Sequence, residues 1–395
     1  MGTCKFCGKE ERAISNVLKV CRKCILEGDW NKIEPHILNV HSEVRKIVNL
    51  PEKPPKAEKP NINLKCNLCI NECALSENDI SYCGLRNVHL RKIGQLPYPS
   101  KSKGYIHGYI DPNPTNCCNS WFCPAGTSSG YPEYSNYEGP EKGTYSYAAF
   151  LYGCTFNCLF CQNASHKIFS KRNLFDVDTL ANQIVKNEKI TCLCYFGGTP
   201  EAQLPFSINL AEKILEKIKD EKRIMRICWE CNGSGNRDWI EKCMKIAIKT
   251  GGNIKFDLKS FNEKLNLALC GVSNKRTLEN FKYLAENYFG TRKGLFEISA
   301  CTLMVPGYTN HEEVEQIAEF VSSINPEIPY SLLVFNGAYV MDDLRITPQK
   351  QASKSLDVAK KYLKHVHLGN KFLLEFSENR QKNLFTSNNY KNHQI

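Results

Sequence analysis

The sequence predicts an α/β protein, a partial (β/α)6 barrel of the TIM type that carries small N-terminal cysteine-rich metal-binding modules. Three observations predict it. From about residue 145 onward, six short apolar runs alternate with amphipathic stretches of helical period. Those runs are continuously apolar, as in parallel strands covered by helices on both faces. Finally, 21 cysteines in 395 residues bunch into tight groups, mostly ahead of that region and at its start.

Residues 1–50 read as the first module, of zinc-ribbon or rubredoxin type. CKFC and CRKC place Cys4, Cys7, Cys21 and Cys24 as two C-x2-C knuckles 13 residues apart, the spacing of one tetrahedral zinc or iron ion. So short a segment buries too little to be stable alone, and a bound metal supplies the difference. PEKPPKAEKPN (51–61) is a Pro/Lys linker. Residues 62–143 form a cysteine-rich auxiliary region. Its first group, Cys66, Cys69, Cys73 and Cys83, suits an iron–sulfur cluster or zinc. Its second, Cys117, Cys118 and Cys123, lies in a Pro/Gly/Tyr-rich stretch (98–143) that reads as a long loop pinned by metal, in a cluster of its own or sharing ligands with the first group.

The barrel spans 144–375. Its strands are predicted at 147–153, 191–198, 226–233, 253–260, 295–305 and 329–336, with a last apolar run in HVHLGNKFLL. DTLANQIVKNE, INLAEKILEKIKDE and DWIEKCMKIAIKTG supply helices between them. In such a barrel the chemistry sits at the C-terminal ends of the strands. A polar tail, 376–395, is expected to be loosely ordered. Cys192, Cys194, Cys228, Cys231, Cys243, Cys270 and Cys301 fall in apolar strands or helices and read as small core hydrophobes.

Composition bounds the function. No apolar run reaches the roughly 18 residues that span a bilayer, and the first residues lack the apolar core of a signal peptide. A cytoplasmic protein in a reducing, anoxic compartment is expected. The formal charge is +11. Thiolates at two four-cysteine sites and one three-cysteine cluster would lower it to about +6, so the basic excess is weak support for nucleic-acid binding.

The chemistry is carried by YGCTFNCLFCQN, residues 152–163. Cys154, Cys158 and Cys161 are three thiolates on the loop after the first barrel strand, with no fourth cysteine nearby in sequence. Three thiolates hold three irons of a [4Fe–4S] cube and leave the fourth iron open to an incoming ligand. Phe160 shields such a cluster from water.

The spacing C-x3-C-x-aromatic-C resembles the signature of the radical S-adenosylmethionine (SAM) superfamily. FGGTP (196–200) resembles that superfamily's glycine motif, with Thr199 where a Glu is usual; ECNG (230–233) resembles its ETNG motif, and FDLKS its DxK strand motif. Residues 145–370 are similar to the glycyl-radical-enzyme activases of the pyruvate formate-lyase type. The 66–86 segment, C-x2-C-x3-C then CGLR, resembles the opening of the AmmeMemoRadiSam radical SAM family. The resemblance implies Cys154, Cys158 and Cys161 as cluster ligands. It implies SAM contacts from Gly197, Gly198, Thr199, Glu230, Asn232, Asp257 and Lys259, with Asn163 as a further contact. It also implies reductive cleavage of SAM to a 5′-deoxyadenosyl radical that takes hydrogen from a protein, peptide or small molecule, with electrons from ferredoxin or flavodoxin. The alternatives are modification of RNA or lipid, with the N-terminal module and Lys5, Lys9, Lys19, Arg22 and Lys23 gripping RNA, and a non-catalytic zinc-binding protein.

Overall fold

The computed structural model describes residues 1–87, 99–115 and 117–377. Its centre is a nine-stranded sheet. In chain order the strands are β1 (Lys103–Pro112), β2 (Tyr145–Leu151), β3 (Leu174–Asp176), β4 (Ile190–Gly197), β5 (Arg226–Cys231), β6 (Ile254–Asp257), β7 (Ile298–Met304), β8 (Tyr330–Val334) and β9 (Val366–Gly369). The spatial order is β9-β8-β7-β6-β5-β4-β2-β1-β3. Strands β2 and β4 through β9 run parallel in succession. β1 is antiparallel to β2, and β3 to β1. This is the open, partial barrel the periodicity predicts. The last apolar run supplies a further parallel strand, and an antiparallel edge is added on the other side.

That edge corrects the reading of residues 98–143 as loop. KGYIHGYIDP pairs with β2 from Ile106 to Pro112. Its glycines look like turn signals but are there for packing. A Cβ on Gly104 would stand 2.3 Å from the Phe206 ring, and one on Gly108 would stand 2.1 Å from the Tyr147 hydroxyl. The 376–395 tail lies outside the described residues from 378 onward.

Period-two alternation sets the two faces of the sheet. Leu193, Tyr195, Ile227, Trp229, Ile254, Phe256 and Ile298 point to the helices and form the main core. Covering them are α1 (Val177–Val185), α2 (Leu204–Lys217), α3 (Arg237–Thr250), α4 (Lys275–Tyr288), α5 (His311–Ile324) and α6 (Gln349–Tyr362). Sequence punctuation fixes their ends. The Asn236 side chain accepts from Asp238 N at the start of α3, and Gly251 ends that helix at φ 77°. The opposite, inward face is polar and thiol-rich.

The N-terminal segment is not held apart by the linker. The Tyr308 hydroxyl accepts from Ser15 N (3.1 Å) and donates to Val20 O (2.9 Å). His41 Nε2 meets Ala268 O at 3.1 Å. Cys4, Cys21, Ile25 and Ile37 share one apolar cluster with Phe156, Cys158, Leu159 and Phe160 of the cysteine loop. Arg22 pairs with Glu312 and Glu313, and Lys9 with Glu11; two of the cations expected to grip RNA are thus engaged within the chain.

Candidate active site and metal centres

The cysteine loop leaves β2 through Gly153, at φ 81°, where a Cβ would meet Leu85. It is then clamped by backbone. Asn157 N donates to Cys270 O (2.8 Å) and Leu159 N to Leu269 O (2.9 Å). The end of β4 lies directly against it, with Gly198 N on Leu151 O (2.9 Å) and Thr199 N on Gly153 O (3.1 Å). A Cβ on Gly197 would fall 2.2 Å from Leu151 O, and one on Gly198 1.9 Å from Gly153 O. These glycines are therefore required first by the close approach of two backbones.

Cys154, Cys158 and Cys161 line a cavity of about 270 Å³ together with Asn163, Gly197, Gly198, Thr199, Glu230, Asn232, Asp257 and Lys259. Tertiary structure thus gathers every residue of the sequence-predicted SAM site. The three thiols share one cavity wall, as a cluster held at three corners requires. Asn232 Nδ2 donates to Cys154 Sγ (3.4 Å) and to Thr155 Oγ1 (3.2 Å). Burial pushes the Cys154 thiol up to about 12. Contact with Cys270 and burial hold Cys158 well above its ordinary range. Uncharged thiols buried this deeply become thiolates when a metal takes the proton's place.

Two cations that the motifs did not reveal line the same cavity. Lys167, buried, donates to Asn157 Oδ1 (3.2 Å), and burial lowers its pKa while Cys161 and Cys154 pull it back. Lys255 alternates with Asp257 and Lys259 on the inward face of β6 and its continuation. Asp257 bridges them at 2.9 Å each. Burial works against the Asp257 charge, yet the two lysines hold it well below the usual carboxylate range.

Glu230 lines the cavity and is also engaged within the chain. Its Oε2 lies 2.5 Å from Lys255 Nζ, and its Oε1 accepts from Cys117 Sγ at 3.0 Å. Glu201 is wholly buried; it contacts the Thr199 hydroxyl and accepts from Ser234 N (3.1 Å), and burial pushes it up to about 7. It ties the glycine motif to the loop after β5. Asn163 lies at the cavity rim, accepting from Ser165 Oγ (2.9 Å).

The other cysteines sort by spacing. Cys4 Sγ and Cys24 Sγ are 3.7 Å apart, and Cys7 Sγ and Cys21 Sγ 3.8 Å. A tetrahedron with metal–sulfur bonds of about 2.3 Å has an edge of about 3.8 Å, so one ion fits. Cys66, Cys73 and Cys83 all lie near enough to Cys69 to disfavour its thiolate. Their segment is strapped beside the cysteine loop. Ile70 N donates to Ser234 O (2.9 Å), Asn71 Nδ2 to Thr155 O (2.8 Å), and Arg86 Nη1 to Cys83 Sγ (3.7 Å).

The insertion after β1 places its cysteines against the sheet rather than beside the 66–83 group, and in that sheet Cys192, Cys194 and Cys301 are buried as read from the sequence. It turns into the barrel. Cys123 packs with Cys192, Cys194 and Cys228 of β4 and β5, where Arg226 donates to Cys192 Sγ at 3.1 Å. Cys117 and Cys118 reach Glu230, and Cys118 meets Cys301. A count of inward positions on each strand would have brought Cys192, Cys194, Cys228 and Cys301 to one face, but nothing in the sequence shows that the insertion enters there.

The chain is thus an open parallel barrel with three thiols on the loop after its first parallel strand. Residues 149–321 match the family model of the radical SAM superfamily, and the chain is an enzyme. It is 26% identical over 224 residues to a Methanocaldococcus jannaschii protein named for glycyl-radical enzyme activation, covering 54% of this chain and 77% of that one. It is 23% identical over 192 residues to the pyruvate formate-lyase 1-activating enzyme of Escherichia coli K12, covering 48% and 74%. A solved domain of pyruvate-formate lyase-activating enzyme from Bacteroides vulgatus superposes on 45% of this chain and 98% of that one, with TM-score 0.34 and 18% identity. No described helix is long and apolar enough to cross a membrane.

Proposed function

We propose that the chain reductively cleaves SAM at a [4Fe–4S] cluster held by Cys154, Cys158 and Cys161 and uses the resulting 5′-deoxyadenosyl radical to take hydrogen from a protein or peptide, with activation of a glycyl-radical partner as the leading version. The observation that carries this reading is the cavity in which the three thiols meet Gly198, Asn232, Asp257 and Lys259. When bound, the cluster supplies the electron that breaks the sulfonium bond. The rest is the work of the chain. Phe156, Leu159 and Phe160 are buried around the loop and exclude water from it. Gly197 and Gly198 hold the end of β4 against the loop, which leaves their carbonyls and the Thr199 backbone at the cavity wall to meet the methionine end of SAM. Asn232 orients Cys154 and stands ready for the ribose. Lys259, kept charged by Asp257, meets the carboxylate of SAM.

Cys4, Cys7, Cys21 and Cys24 hold a single zinc or iron ion in this reading, and Cys66, Cys69, Cys73 and Cys83 a second cluster that passes electrons from a ferredoxin or flavodoxin. The activating-enzyme names of the relatives support the substrate class. The test is anoxic reconstitution followed by SAM and dithionite. The intact chain releases 5′-deoxyadenosine, and Cys158→Ala releases none above background. An intact, cluster-loaded chain that releases no 5′-deoxyadenosine would overturn the assignment.

A further inference from the structure

We propose that Cys117, Cys118 and Glu230 bind a thiophilic divalent metal ion, zinc or iron(II), inside the barrel. Their ligand atoms all lie within 4.8 Å of one another. Cys117 Sγ is 3.0 Å from Glu230 Oε1, and Cys118 Sγ is 3.9 and 3.8 Å from the two carboxylate oxygens. A tetrahedral ion with sulfur at about 2.3 Å and oxygen at about 2.0 Å needs S···O edges of about 3.5 Å; the observed separations bracket that value. Cys301, on β7 beside Asp257 in register, brings its thiol against Cys118.

Charge favours an ion here. Two thiolates, one carboxylate and a divalent cation sum to about −1 by ligand counting. Lys255, 2.5 Å from the other carboxylate oxygen, offsets that charge and leaves Oε1 free to coordinate. Without a metal, the carboxylate stands against two thiols.

The donors are also held as ligands must be. Cys117 N donates to Thr115 Oγ1 (3.1 Å), and Ser331 Oγ to Cys118 O (2.9 Å). The intervening loop is anchored by Asn119 Nδ2 on Asn253 Oδ1 (2.8 Å) and Trp121 Nε1 on Ser331 Oγ (3.0 Å). Glu230 lies in the wall between the cavity of the cysteine loop and a second cavity of about 430 Å³ lined by Cys117, Cys118 and His367. The ion thus faces space open to a substrate.

This site does not rest on the SAM reading, which is tested at Cys154, Cys158 and Cys161. The full chain is purified without oxygen, and zinc, iron and acid-labile sulfide are counted per chain. Sulfide separates cluster iron from single ions. The Cys117→Ser/Cys118→Ser variant loses one zinc or iron per chain at unchanged sulfide, and Glu230→Gln retains less metal in dialysis against a weak chelator. Cys243→Ser, on the buried face of α3, keeps the wild-type count. A double variant with wild-type metal content overturns the proposal. Should that variant fail to fold, the wild type decides. Iodoacetamide labels Cys117 and Cys118 only after chelator treatment, with Cys243 still protected. Labelling at the same rate with and without chelator overturns it as well.

Discussion

Removing Glu141 should loosen the thiol-bearing insertion from the barrel. Glu141 is wholly buried, and its Oε1 and Oε2 accept from Arg226 Nη1 (2.8 Å) and Nη2 (2.6 Å). The same oxygens accept from Asn136 N (2.8 Å) and Thr191 Oγ1 (2.9 Å). Glu141→Ala leaves the Arg226 guanidinium, 2% exposed, with only Tyr134 O, Thr191 Oγ1 and Cys192 Sγ. Breaking a buried pair from one side costs about 3–5 kcal/mol, because an uncompensated charge stays behind. At about 2–4 °C per kcal/mol that is a drop of about 6–20 °C in melting temperature, read by circular dichroism under anoxic conditions. Burial opposes the Glu141 charge, but Arg226 outweighs it and holds the carboxyl below its ordinary value of 4.5. Its contribution is therefore present above pH 4.5 and lost as pH falls through the folded pKa, so the deficit of the variant shrinks in acid. Adding Arg226→Met removes the orphaned cation and should recover part of the loss. A cost under about 1 kcal/mol for Glu141→Ala, or no recovery in the double variant, refutes the reasoning.

Gly198→Ala places a methyl 1.9 Å from Gly153 O; the backbones must part by more than about 1 Å, and 5′-deoxyadenosine formation should fall about 100-fold. An unchanged rate would show that the approach of β4 to the cysteine loop is not required. Glu201 has a folded pKa of about 7, raised by burial from 4.5. Its protonated form stabilises the fold fully below pH 4.5, and about 3 kcal/mol is lost as pH rises toward 7. Glu201→Gln should remove that slope, and parallel melting curves for the two proteins across the range would count against it. Cys24→Ser opens the N-terminal tetrahedron; the variant should lose one metal ion and become protease-sensitive over residues 1–28, whereas full metal retention would remove the ion from that site.

The sequence by itself determined the alternation of strands and helices, because burial on both faces and on one face leave different periods in the chain. It also determined the cluster loop, because three thiols at C-x3-C-x2-C are a local pattern that needs no fold to be read. The sulfurs of Cys4, Cys7, Cys21 and Cys24 meet for the same reason: their spacing is short enough to close alone. Tertiary structure alone decided what Glu230 touches. Its partners Cys117, Lys255 and Cys118 come from the insertion and a neighbouring strand, brought together by parallel register and by a loop that turns inward. The strand at Lys103–Pro112 escaped because its glycines make room for the Phe206 and Tyr147 rings, contacts between residues far apart in the chain. Local patterns record which face of an element is buried; only the packed chain records what it is buried against.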